Sequence, residues 1–426
     1  MKFYIGTTTL VFAALLCMAI ADKRYLLYDC NPGEGFNLRR DVYMRIANMV
    51  KNLREQKECK GDDWVLVLPP WGRIGYHWKE RDMEQSKIPW SKFFDIPSLA
   101  KHVPVIEYDD YVEEIGDAKV DEIWYLQRYE EGWSSGNWED KMHERPCIDQ
   151  PVYESEGNSD KIRGWFWGYE ETYANKFKCV SVQGSSKIFF GPLCGANTTA
   201  QSIMLDRGEN ILHDMFGGKD YWDCRRSMRF SKELVEEANE FRKKHFGSND
   251  EADKTVMPED WTEHKCTEGD ALGGPYIAAH LRRKDFLYAR KDQVPDLEKV
   301  AKVLKEKMQE YKVNKVFIAS DGTKEEMAQL KTLLPEMVMY KPTKEKKKAF
   351  KMGGVAIIDQ IICSHARYFT GTKESTFSFR IQEEREIMCF SKDMTFNRIC
   401  SDQEPKDCEQ PTKWKIVWNS DSEIWQ

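Results

Sequence analysis

Long apolar runs are missing from this 426-residue chain once its first twenty residues are passed. No later segment approaches the ~20 apolar residues that a bilayer-spanning helix needs, so stable membrane insertion is not expected. A basic excess is missing as well. The net charge is −7 with both signs interspersed, which argues against nucleic acid as the main partner, because such proteins carry a positive footprint. Paired C-x-x-C spacings are absent, so a structural zinc site is not expected. Neither a G-x-x-x-x-G-K-S/T loop nor a G-x-G-x-x-G fingerprint occurs, which removes support for ATP hydrolysis and for nicotinamide chemistry. An Asp-x-Asp metal motif does not stand out either; Asp62-Asp63 and Asp109-Asp110 lie in acidic or turn contexts without special spacing.

What is present suits a folded protein of a secretory compartment. With 41% hydrophobic and 12% aromatic residues, the chain can bury sizeable cores, and its length suggests two domains. Lys2 precedes an apolar stretch through Ile20, and Ala19-Ile20-Ala21 has the small-x-small form of a cleavage site. Residues 1–21 are therefore expected to be a signal peptide cleaved after Ala21. An uncleaved anchor is the alternative. Twelve cysteines fit an oxidising compartment. Cys17 leaves with the signal, so an odd number remains and at least one thiol is unpaired within the chain. Cys363, in the apolar run 355–363, is the candidate. Cys400 and Cys408 are close enough for a local bridge. Asn197-Thr198-Thr199 is a glycosylation sequon.

Strand and helix patterns alternate along the chain, which points to α/β layers. Residues 25–28, 64–68 and 103–106 read as strands, and 38–55 and 231–245 as helices. Residues 134–158 look like a long insertion. The stretch 247–274 is polar and turn-prone, so a boundary is set there, giving units 22–246 and 247–426. In the second unit, strands at 276–280, 315–320, 337–340 and 367–370 alternate with helices, and 341–348 reads as a loop. That order predicts a doubly wound sheet, whose ligands bind at the carboxyl ends of the strands.

Three local patterns carry chemistry. Glu34 lies between Gly33 and Gly35 in a turn joining a strand to a helix. Neither neighbour has a side chain to keep a substrate away, and a helix start favours oxygen-rich ligands. A solvated structural turn is the plainer alternative. His280 and Arg282 end a strand on the same face, and an arginine there can fork onto phosphate oxygens. Ser375, Thr376 and Phe377 follow a strand and open a helix, a second place for a diphosphate. Asp359 sits inside an otherwise apolar helix and needs a partner if buried.

Taken in order, Cys30 to Arg40, Asp63 to Arg73, His280 to Phe286 and Asp359 to Arg380 closely resemble the protein O-fucosyltransferases that modify thrombospondin type 1 repeats, the type 2 group. The resemblance covers essentially the whole mature chain. It implies two Rossmann-like domains facing a cleft, a GT-B-type glycosyltransferase, with GDP-fucose as donor and no metal or other cofactor. It implies a Ser or Thr hydroxyl of a folded, disulfide-bonded repeat as acceptor, Glu34 as catalytic base, and inversion at the sugar carbon. Gly33, Gly35, Phe36 and Asn37 would form the donor-binding turn. Arg282 would hold the diphosphate and His280 would stand beside it. Asp359 would hold the base, and Ser375, Thr376 and Phe377 would form the phosphate-binding helix start. Residence in the lumen of the endoplasmic reticulum follows from the resemblance alone, and a monomer is expected. A luminal protein that only binds folded repeats, or an enzyme acting on EGF-like repeats or glycans, are the competing readings.

Overall fold

The computed structural model describes residues 22–418 except 58, 60–61, 73, 75–77, 79, 81, 133–137, 195–197 and 406. The signal segment and Asn197 lie outside the described residues. Two sheets organise the fold. The first contains β1 (Asp22–Tyr28), β2 (Asp62–Leu68), β3 (Val105–Glu107), β4 (Lys119–Gln127), β5 (Lys141–Glu144), β6 (Glu154–Ser155), β7 (Ile162–Arg163), β8 (Tyr173–Gln183) and β9 (Ser202–Asp206). Its path runs β3-β2-β1-β9-β4-β8-β7-β6, with β5 also on β8. The strands from β3 through β8 along this path pair in parallel, and the short β5 and β7 add antiparallel edges. Of the short strands, β5 and β6 lie in the expected insertion 134–158.

The second sheet contains β10 (Gly274–Leu281), β11 (Val316–Ser320), β12 (Met337–Val338), β13 (Ala366–Gly371) and β14 (Asn397–Arg398), ordered β12-β11-β10-β13-β14 and parallel throughout. Its order reverses at β10, which makes the carboxyl ends of β10 and β13 the crevice where a ligand fits. The first sheet reverses at β1, between β2 and β9, and the turn carrying Glu34 leaves from there.

Two elements differ from expectation. The lysine-rich stretch after 341 is not all loop: two helical segments joined at a kink at Lys351, whose φ is +58°, span Lys344–Ser364, and Thr343 caps the first, its side chain accepting from the Lys346 N–H. The lysines of that first segment point outward, and that exposure hid it from an apolar-periodicity reading. The helix Lys232–Phe246, which precedes the expected boundary, packs on the second sheet. Phe246 stacks on Tyr276 of β10 at 4.1 Å, and Phe241 lies edge-on to Phe317 of β11. This helix is preceded by Ser231, whose side chain makes no cap hydrogen bond, and followed by Gly247 in the left-handed conformation.

Four disulfides join Cys59 to Cys194, Cys147 to Cys179, Cys266 to Cys389 and Cys400 to Cys408. Cys30, Cys224 and Cys363 are free and buried, so the unpaired Cys363 is found as expected, with two more.

The two halves meet along helices Phe36–Glu55 and Lys219–Ser227 on one side and Thr376–Ile387 on the other. Glu383, with no exposure, receives Arg225 Nε at 2.5 Å, Tyr221 Oη at 2.6 Å and Arg380 Nη2 at 2.7 Å. Arg225 also reaches Glu384 at 2.6 Å. Beside this network Gly353 lets the 344–364 helix approach the aromatic cluster of Trp71, Trp78 and Phe93. A Cβ at Gly353 would lie 2.6 Å from Phe93 Cζ. Removing one member of a buried ion cluster strands the others without solvent. Glu383→Gln is therefore expected to cost roughly 3–5 kcal/mol, read as a lower midpoint in denaturant unfolding.

Candidate active site

A cleft of about 580 Å³ lies at the carboxyl ends of the second sheet's strands. Gly35, Phe36 and Asn37 line it from the first half, and His280, Arg282, Asp359, Thr376 and Phe377 from the second. The fold thus brings residues more than three hundred positions apart to one cavity.

His280, at the end of β10, is buried. Its ring stacks on Phe377 with centroids 4.3 Å apart, and Nδ1 lies 2.8 Å from Ser378 Oγ. Burial, helped by the charge of Arg282, pushes its pKa down to about 3. It is a neutral ring that shapes the wall. Ser378 also accepts from the Thr372 N–H at 3.1 Å, and Thr372 Oγ1 accepts from the Arg282 N–H at 3.0 Å. Ser378 and Thr372 were not singled out from the sequence, although the hydroxyl density of 370–378 was the available signal. They lock the end of β10 to the start of the next helix. Gly371 is required there, because a Cβ would come within 2.5 Å of Ser378 Oγ.

Arg282 projects into the cleft while its Nε and Nη2 hold Asp285 at 2.9 and 2.7 Å. Arg283, its neighbour, is structural: it is buried, with Nε on Glu326 at 2.6 Å and Nη1 on the Pro295 carbonyl. Ser375 is buried and its Oγ has no hydrogen-bond partner among the described residues. The helix Thr376–Ile387 starts beside it with no side-chain cap. An uncapped helix start, an orphaned hydroxyl and an arginine together make a site for an anion with several oxygens.

Asp359 makes no hydrogen bond among the described residues, although its carboxyl is largely removed from water. Burial alone pushes its pKa up to about 8. An acid placed so, facing a cavity, is poised to accept from N–H groups of a ligand. Trp78 and Tyr340 complete the wall; neither was singled out from the sequence as a site residue.

Glu34 and Gly33 do not themselves line the cleft; their neighbours Gly35, Phe36 and Asn37 do. The Glu34 N–H donates to the Asn31 carbonyl at 2.8 Å, and the Gly33 N–H to Asn31 Oδ1 at 3.2 Å. Neither Gly33 nor Gly35 has a positive φ, so the backbone of the turn does not itself demand glycine. The Glu34 carboxyl accepts no hydrogen bond among the described residues. Burial first, then the charge of Glu209, raises its pKa, against Arg39 and Arg45. Asn37 is only partly available: its Oδ1 receives Gln360 Nε2 at 2.9 Å and Arg40 Nη1 at 3.3 Å. On the other side of the turn, Pro32 and Arg39 line a second cavity of about 210 Å³ with Tyr125, Tyr153, Trp165 and Trp167.

Among the described residues no three His, Cys, Asp or Glu side chains form a metal-ligand set. Asp62 pairs with Arg24, Asp63 with Arg54, and Asp109 accepts from Tyr169. No helix among the described residues is long and apolar enough to cross a membrane.

Residues 25–388 match the family model for GDP-fucose protein O-fucosyltransferase. The chain belongs to that family. It is 54% identical over 406 residues to the human GDP-fucose protein O-fucosyltransferase 2, covering 95% of this chain and 92% of that one. The Caenorhabditis elegans protein of the same name is 47% identical, covering 93% and 91%. Among solved structures, POFUT1 in complex with GDP-fucose aligns with a TM-score of 0.54 at 13% identity, over 89% of this chain and 98% of that one. That likeness confirms the GT-B-type arrangement of two Rossmann-like halves. This family member is accordingly a protein O-fucosyltransferase with GDP-fucose as its donor.

Asp359 yields a prediction independent of any ligand. A carboxyl at 3.8 in the unfolded chain and about 8 in the fold costs stability as pH rises between those values. Asp359→Asn should raise the melting temperature of the ligand-free protein. The gain should grow from about pH 4 to about pH 8 and level off above, as thermal unfolding across that range would show.

Proposed function

We propose that this O-fucosyltransferase transfers fucose, with inversion, from GDP-fucose to Ser or Thr hydroxyls of folded thrombospondin type 1 repeats, without a metal. The observation that carries the reading is the position of the Glu34 turn, between the 580 Å³ cleft and the 210 Å³ cavity. A base in that place stands between a bound donor and an incoming acceptor.

In this reading the nucleotide occupies the larger cleft. Asp359, as carboxylate, accepts from the N–H groups of guanine. The diphosphate lies against the Thr376 helix start, takes the Ser375 hydroxyl, and draws the Arg282 guanidinium away from Asp285. As the bond from the sugar carbon to the phosphate oxygen breaks, negative charge grows on GDP, and these fixed donors stabilise it. The acceptor oxygen attacks the opposite face of the sugar and its proton passes to Glu34. A β-linked donor then gives an α-linked product. Asn37, held by Gln360 across the seam and by Arg40 of its own helix, fixes the turn against the second half while its amide N–H₂ faces the donor.

The acceptor class rests on the sequence resemblance and on relatives named protein O-fucosyltransferase 2. Four disulfides support the lumen of the endoplasmic reticulum as the place of action. The acceptor-side unit is 22–246 and the donor unit 247–426, the helix Lys232–Phe246 at that boundary lying against the second sheet, and the chain acts as a monomer.

Labelled fucose transfer from GDP-fucose tests the proposal, with a chelator present, on a folded thrombospondin repeat, its reduced form and a folded EGF-like repeat. Label on the folded thrombospondin repeat alone is expected. Glu34→Ala should lower turnover by at least about a hundredfold with GDP binding intact, whereas Arg282→Ala should weaken GDP binding too. Near-normal turnover of Glu34→Ala would remove the base from the scheme, and label on the EGF-like repeat would reassign the acceptor.

A further inference from the structure

The turn that carries Glu34 has few fastenings. Its backbone closes on Asn31, whose own N–H donates to Glu209 Oε2 at 3.1 Å. Beyond these local bonds, one long side chain reaches it. Arg39, in the first turn of the 36–55 helix, donates from Nε to the Glu34 carbonyl at 3.1 Å. Its side chain is 11% exposed, and Nη1 lies 3.9 Å from Asp29 Oδ1. Asp29 directly follows β1 and in turn accepts from the Cys30 N–H at 2.7 Å. Arg39 therefore clasps the end of the strand, the turn and the helix start into one closed loop.

The charged groups facing Glu34 are Arg39, Arg45 and Glu209. The two arginines are not equivalent. Arg45 is committed elsewhere, with Nε and Nη2 on Asp41 and Nη1 on the Ile211 and Glu209 carbonyls. Arg39 makes one hydrogen bond, to the turn itself, and its Nη atoms make none among the described residues. It also lines the smaller cavity, so its charge lies on the side from which an acceptor would arrive.

We infer that Arg39 is the positioning residue for Glu34, fixing the turn by its Nε and setting its positive charge beside the carboxylate. The inference rests on the reading of Glu34 as the base. Arg39 touches no reacting atom in this scheme. It acts through Glu34, by holding the carboxylate where the acceptor hydroxyl is delivered and by opposing the effects of burial and Glu209. A displacement of about 1 Å at such a group costs on the order of a hundredfold in rate.

The test is kcat/KM for transfer to a folded repeat from acid to neutral pH, for the wild type, Arg39→Gln and Arg39→Lys, with GDP affinity measured on each. Arg39→Gln should move the acid limb of the profile to higher pH and lower kcat by about a hundredfold, with GDP affinity unchanged. A lysine keeps the charge but not the planar fork, so Arg39→Lys should restore the limb and not kcat. A wild-type limb and wild-type kcat in Arg39→Gln would overturn the inference. If Arg39→Gln fails to bind GDP, a wild-type kcat in Arg39→Lys overturns it instead. Glu34→Gln is the separate control: activity there removes the base reading itself, whatever Arg39 does.

Discussion

A carboxylate with no access to water must be surrounded by donors, and for Glu383 those donors come from both halves of the chain. Arg225 and Tyr221 reach it from the helix Lys219–Ser227, and Arg380 from its own helix. None of these groups tolerates separation from the others, because each would be left charged or polar in an apolar seam. Asp41 on the 36–55 helix extends the cluster through Arg380 at 3.7 Å, and also holds Arg45 and His213. The relative placement of the two sheets is thereby set by ion geometry, and with it the width of the cleft above.

That placement explains why the site has polar groups with nothing to bond. Asp359, half-buried, and the buried Ser375 hydroxyl are placed by a scaffold that gives them no hydrogen-bond partner among the described residues. A fold normally satisfies such groups. Here they face a cavity, alongside an uncapped helix start and a guanidinium held by a single exposed carboxylate. The cost is carried by the empty protein and recovered when a ligand supplies the missing donors and acceptors.

Local patterns made much of this legible in the sequence. Glu34 between glycines, the basic end of β10 and the hydroxyl-rich helix start are each a strand followed by a turn followed by a helix, and that signal lies within ten residues. Asp359 was visible as one acid among aliphatics. What the sequence concealed was partnership at a distance. Nothing local says that Arg283 turns inward to Glu326, or that Ser378 supports His280. An amphipathic pattern shows that 232–246 is a helix but not which sheet its apolar face covers. Likewise the lysines of 344–348 masked a helix whose first turns are bound by capping and not by an apolar stripe.

Each disulfide closes within one half. Cys59–Cys194 and Cys147–Cys179 brace the first sheet, and Cys266–Cys389 and Cys400–Cys408 the second. Among the described residues no covalent bond other than the chain itself crosses the seam. The molecule is stiff as two plates and joined as a reversible contact, so mechanical compliance is concentrated at one surface. A pull on the plates is resisted by sulfur, and a change in their angle only by ions and rings.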